Sequence, residues 1–129
     1  MSLCVSSDVE VTSYIKPSTW SAGTRTSAAI DTGKYNSLEF FVDAGTFGAS
    51  ATLTNKLQWS VDGSTNWTDD DGSTGNTAAP GAISATAVQH FKVTSPKAQY
   101  YRLSSVSAVQ TVDYGVTMVA DPKKKPPTV

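Results

Sequence analysis

Residues able to carry chemistry are scarce in this chain, which has one cysteine, Cys4, and one histidine, His90. A lone cysteine rules out an internal disulfide framework and leaves a thiol site without a partner; it agrees with folding in a reducing compartment. A zinc site lacks ligands. Charge is also sparse and nearly balanced, with 10 Lys and Arg against 11 Asp and Glu and a formal charge of -1, so no general attraction to nucleic acid or anionic lipid is expected. No apolar run approaches the ~20 residues of a membrane helix. Met1 to Val5 is followed at once by Ser6, Ser7 and Asp8, which does not read as a secretory leader. The expectation is a protein made in a cytoplasm that reaches the outside by lysis or as part of a particle.

Small hydroxyl residues are abundant, with 17 Ser and 17 Thr among 129 residues, so the polar faces are built more from hydroxyls than from charges. Thr favours strands through its branched Cβ, and Ser favours turns. At 39% hydrophobic, a chain of this length can bury well over half of its unfolded surface in one core.

The clearest organisation runs from Ser37 to Trp67. Leu38, Phe40 and Val42 alternate with Ser37, Glu39 and Asp43, and Leu53, Leu57, Trp59 and Val61 alternate with Thr52, Thr54, Lys56, Gln58 and Ser60. A period of two marks half-buried strands. Gly45 and Gly48 let the chain reverse between them, and Asp62-Gly63 starts a second turn. Before this unit the pattern predicts a strand over Val9 to Ile15, stopped by Pro17. A turn over Trp20 to Gly23, a strand over Arg25 to Ile30 and a turn at Asp31-Thr32-Gly33 follow. After Trp67, Gly72, Gly75, Pro80 and Gly81 predict a long loop, the least ordered interior segment. Strands over Ala87 to Thr94, Gln99 to Val106 and Val109 to Val119 close the domain. Short strands without helical periodicity predict an all-β antiparallel β-sandwich or jelly roll spanning residues 8–119. An N-terminal arm, 1–7, and a C-terminal arm, 120–129, flank it; in the latter Pro122, Pro126 and Pro127 stop pairing and Lys123, Lys124 and Lys125 keep the chain solvated.

Candidate sites are few. His90 shares an outward strand face with Val88 and Lys92, which suits a surface residue better than a catalytic base. Asp62, Ser64 and Asn66 alternate like the start of a calcium loop and Asp69, Asp70 and Asp71 follow, yet the Gly at loop position six and the distal Glu are missing, and a hairpin turn explains them better. Asp69 and Asp71 as glycosidase carboxylates lack the apolar surroundings that would raise one pKa. Trp20, Trp59 and Trp67 raise the idea of a sugar platform, although Trp59 falls on the apolar face. The reading is a protein with no enzymatic activity, no cofactor and no metal.

The order of these motifs, DTGKYNSLEFFVDAG (Asp31 to Gly45), LQWSVDGSTNWTD (Leu57 to Asp69), a Gly/Ala-rich loop and AQYYRLSSV (Ala98 to Val106), resembles the capsid decoration, cement or stabilisation proteins of tailed phages. The resemblance spans roughly Val9 to Val119. It implies a jelly-roll or β-tulip fold and a virion protein on the outer capsid surface that binds the major capsid protein, stabilises contacts between its subunits and associates with itself as a dimer or trimer. No nucleic acid or membrane partner is implied. Lys123, Lys124, Lys125, Pro126 and Pro127 are then the candidate partner-binding residues, as an arm stiffened by proline. A tail- or fibre-associated module binding a receptor or carbohydrate is the alternative on the same fold.

Overall fold

The alternation from Leu38 onward becomes a long central strand in the computed structural model, which describes residues 10–72, 75–78 and 80–122. In order along the chain the strands are β1 (Glu10–Trp20), β2 (Gly23–Thr26), β3 (Ile30–Asp31), β4 (Tyr35–Phe47), β5 (Thr52–Ser60), β6 (Thr68–Asp69), β7 (Ala87–Val93), β8 (Tyr100–Ala108) and β9 (Val112–Pro122). A single 3-10 turn, Thr32–Lys34, precedes β4, and the Asp31 carboxylate caps it by accepting the Gly33 N–H at 2.9 Å. Two antiparallel sheets result. Sheet I has the order β1-β9-β4-β7; sheet II has the order β2-β8-β5-β6, with β3 also on β8. Packed together they form an all-β sandwich.

Register explains why the inward residues meet. In sheet I, Phe40 lies opposite both Met118 and Phe91, and Leu38 opposite Ala120 and Val93. In sheet II, Leu57 faces Leu103 and Trp59 faces Tyr101. Trp59 packs half-buried against the edge of one buried cluster that the others make together with Ile15, Val42, Leu53, Val112, Tyr114 and Val116. Fully burying such apolar groups is worth about 1.5–3 kcal/mol each, the main term holding the sheets face to face. One polar tie crosses the interior: buried Asn55 of β5 donates to Gln89 of β7 at 2.7 Å and accepts from Ser105 Oγ at 2.6 Å.

Several local expectations are corrected. Pro17 does not stop β1: the strand continues to Trp20, with register irregularities between Ser13 and Ile15 and between Ile15 and Ser18. An edge strand tolerates the missing donor. The expected strand over Arg25 to Ile30 is split into β2 and β3, both on β8. Pro122 likewise does not stop pairing; it ends β9 opposite Tyr35, where no further ladder bond is required of it. Val61 is 76% exposed and Trp59 is only half-buried against the core, because β5 ends at Ser60.

The stretch expected to be least ordered is anchored. Its first residues pair with β5 as β6, and Ile83 makes a two-way bridge with Leu53. Between them lies a buried polar cluster. The Asp70 carboxylate accepts from the Tyr101 hydroxyl (2.7 Å), Asn76 Nδ2 (2.9 Å) and Gly72 N–H (2.8 Å), while Asn76 Oδ1 accepts the N–H groups of Thr94 (2.8 Å) and Ser95 (3.0 Å). Burial pushes the Asp70 pKa up, but these hydrogen bonds outweigh it and hold it below its ordinary 3.8. Burial, and then the carboxylate beside it, pushes the Tyr101 phenol well above its ordinary 10.0. The loop is thus clamped to β8 and to the end of β7 by groups that water cannot easily replace.

Candidate functional site

No clustered chemistry dominates the described residues, so the surfaces to weigh are the outer faces of the two sheets. On sheet II the register sets out rows across three strands: Thr24, Val106 and Thr54, then Thr26, Ser104 and Lys56. The next row is a connected polar network. Arg102 donates to Gln58 at 2.8 Å, Gln58 donates to Asp69 at 2.9 Å, and Lys56 pairs with the same carboxylate at 3.0 Å. The Arg102 guanidinium also stacks 4.2 Å from the centre of the Trp67 ring. Hydrogen bonding from Gln58 lowers the Asp69 pKa against the opposing effect of burial, with Lys56 adding to it. The result is a broad strand face of small hydroxyls with a rigid charged rim.

The three tryptophans do not assemble into a platform. Trp67 is capped by Arg102, Trp20 has Arg25 at 4.4 Å over its ring and donates to the Lys16 carbonyl, and Trp59 packs on the core.

On sheet I the outer face carries His90, stacked on Phe41 with centroids 4.6 Å apart and bonded to Glu39 at 2.9 Å. Each of its ring contacts is thus a strand neighbour. Val11 and Val88, 62% and 66% exposed, flank this row at the two edges. Toward the other end of the face the surface dips into a cleft of about 420 Å³ lined by Pro17, Ser18, Thr19, Asp43, Gly45, Asp113, Tyr114, Gly115 and Thr117. The two glycines on neighbouring strands differ: Gly115 is buried beneath Pro17, whose Cα would stand 2.9 Å from an added Cβ, so the bulged β1 packs closely over β9 there, whereas a Cβ on Gly45 would meet only Asp113 at 3.6 Å, which leaves that part of the floor open. Asp43 and Asp113 form its acidic rim, and Thr19 donates to Asp113 at 2.5 Å.

The acidic run is dispersed rather than gathered. Asp62 takes donors from Ser60, Ser64 and Thr65, foremost the Thr65 hydroxyl, which holds its carboxyl well below the usual carboxylate range. Asp69 pairs with Lys56, Asp70 is buried in the loop cluster, and Asp71 pairs with Lys97 at 2.5 Å. Asp69 and Asp71 therefore sit in separate ion pairs. Among the described residues no three His, Cys, Asp or Glu converge as a metal site. No helix among them is long and apolar enough to cross a membrane. Lys123, Lys124, Lys125, Pro126 and Pro127, like Cys4 and the 1–7 arm, lie outside the described residues.

The cleft escaped the reading of the sequence, although it had a signal: Asp43, Gly45, Asp113 and Gly115 put acidic and side-chain-free positions at outward phases of two strands. Only knowledge that β4 and β9 are neighbours joins them.

No family model and no curated protein matches the chain. Among solved structures the fold is similar to that of the PBSX exported protein XepA, with a TM-score of 0.63 and 14% identity over 94% of this chain and 39% of that one. The chain spans about two-fifths of that protein's length, and the likeness is one of fold.

Proposed function

We propose that this protein is a structural virion component that binds the outer surface of a phage capsid as a homo-oligomer and stabilises contacts between major capsid protein subunits. The observation that carries the reading is the two-sheet fold shared with an exported protein of the phage PBSX, joined to the order of motifs that resembles decoration proteins. The hydroxyl face of sheet II supplies the kind of surface the role needs. Thr24, Thr26, Thr52 and Thr54 are short, lose little side-chain entropy when covered, and can satisfy their hydroxyls across an interface. The open Val11 edge of sheet I and the arms add contact area to a compact body.

The experiment is fractionation of a lysate from cells producing the phage that encodes the protein. It should co-sediment with intact heads in a fixed ratio to the major capsid protein, and a Thr54→Arg variant should appear in the soluble fraction instead. Enrichment with tails or complete recovery in the free lysate would overturn the reading in favour of an adhesion module or a non-virion role.

A further inference from the structure

The cleft on sheet I and the lysines that follow β9 are complementary. We propose that the acidic cleft around Asp43 and Asp113 receives the Lys123–Lys125 segment of a second copy of this chain, so that copies are joined by exchanged basic arms. The inference deepens the oligomeric part of the reading above and rests on it only there.

Charge complementarity comes first. Among the described residues Asp43, exposed at the cleft rim, has no cationic partner, and Asp113 accepts from the Thr19 hydroxyl without a cation beside it. Other surface carboxylates are engaged: Glu39 with His90, Asp69 with Lys56, Asp71 with Lys97, and Asp62 with the hydroxyl and N–H groups of its own turn. Spacing comes second. Asp43 lies opposite Gly115 in the β4–β9 ladder, which makes Asp113 its diagonal neighbour, about 7–8 Å away. On an extended chain Lys123 and Lys125 project to one side about 7 Å apart, and a residue before proline, as Lys125 is before Pro126, is biased to extended conformations. The open floor over Gly45, beside the wall that Pro17 makes over Gly115, gives an incoming lysine stem room to lie against the sheet.

Reach decides between a chain's own arm and that of another copy. Pro122 pairs with Tyr35 at the far end of the sheet, seven residues along β9 from Gly115, or about 23 Å. Lys125 is only three residues beyond Pro122, about 10 Å of chain plus a side chain of about 6 Å. A copy cannot fill its own cleft with these lysines, whereas a neighbour can. Each copy carries both halves of the contact, so reciprocal exchange gives a two-fold pair, and head-to-tail exchange gives a ring where the rotation closes or an open chain where it does not.

The test is sedimentation velocity of the full chain in the absence of any capsid, at two ionic strengths. The intact protein should self-associate and weaken as salt rises. Truncation after Pro122, which keeps β9 whole, and Asp43→Lys should each weaken association about tenfold, as expected for two screened pairs. A chain with Asp43→Lys and Asp113→Lys should recover it when Lys123, Lys124 and Lys125 are changed to Glu. Circular dichroism matching the wild type keeps misfolding from imitating the result. A monomer at all concentrations, association indifferent to the truncation, or no recovery in the charge-swapped chain would each overturn the proposal. Because no capsid is present, any of these outcomes leaves capsid binding to be judged by its own fractionation experiment.

Discussion

Asn76→Ala is the perturbation that reports most directly on how the long loop is held. Asn76 is 4% exposed, and its carboxamide donates to Asp70, to the Ser95 carbonyl at 3.0 Å and to the Tyr101 hydroxyl at 3.2 Å. It also accepts from two N–H groups just beyond β7. Truncation leaves the Thr94 and Ser95 N–H groups without that acceptor and removes one donor from the Asp70 carboxylate. A buried polar group deprived of its partner costs about 1–3 kcal/mol, and entry of water into the vacated space offsets part of the sum, so a net loss of about 3 kcal/mol is expected. An unfolding entropy of about 2.1 cal/mol/K per residue gives about 0.27 kcal/mol/K for a chain of 129 residues. The melting temperature should therefore fall by about 11 °C in calorimetry. Amide exchange at Thr94 and Ser95 should accelerate more than at Phe40 or Val116, which lie in the middle of sheet I. Asn76→Asp keeps the acceptor but sets a second carboxylate against Asp70, so it should be at least as damaging at neutral pH and recover partly in acid. A melting point within about 2 °C of wild type for Asn76→Ala would refute the argument that this cluster clamps the loop.

Three further outcomes are expected. Asp70 has a folded pKa depressed below its ordinary 3.8; its contribution is present above that value and is lost as pH falls through the folded pKa, so urea titrations of Asp70→Asn below pH 4 should show a shallower acid loss of stability than wild type. Val109 adopts φ 75° in the β8–β9 turn and is 67% exposed; a β-branched side chain is strained there, and Val109→Asn should raise the melting temperature by about 2–4 °C. Phe40→Ala, at the fully buried centre of sheet I, should cost about 3–5 kcal/mol, and Trp59→Ala, half-buried at the end of β5, about 2–3, with chemical denaturation giving the order.

The sandwich was legible because period-two alternation is a local property that a half-buried strand writes into its own residues. Leu38, Phe40, Val42, Leu53 and Leu57 are buried as that alternation requires. Edge behaviour was not legible. Pro17 and Pro122 read as strand stops because their missing N–H matters only where a ladder bond is needed, and that depends on which neighbour lies on that side. Trp59 and Val61 continue the apolar phase of β5, yet nothing in the alternation marks where the opposite sheet ceases to cover it. The loop after Trp67 looked loose because its Gly and Pro residues are visible locally, whereas its anchors, Tyr101 and the Ser95 backbone, lie far along the chain. The cleft is of the same kind. Its glycines and aspartates come from β4 and β9, separated in sequence by the whole of sheet II's central pair.

The central claim is that this sandwich binds the outside of an assembled phage capsid and strengthens it. The most direct measurement adds purified protein to capsids stripped of it and follows both occupancy and the temperature at which the heads release DNA. Saturable binding at a fixed number of copies per capsid protein, with a higher release temperature, is the predicted result. No binding by the folded full-length chain, or full occupancy with an unchanged release temperature, would contradict the claim.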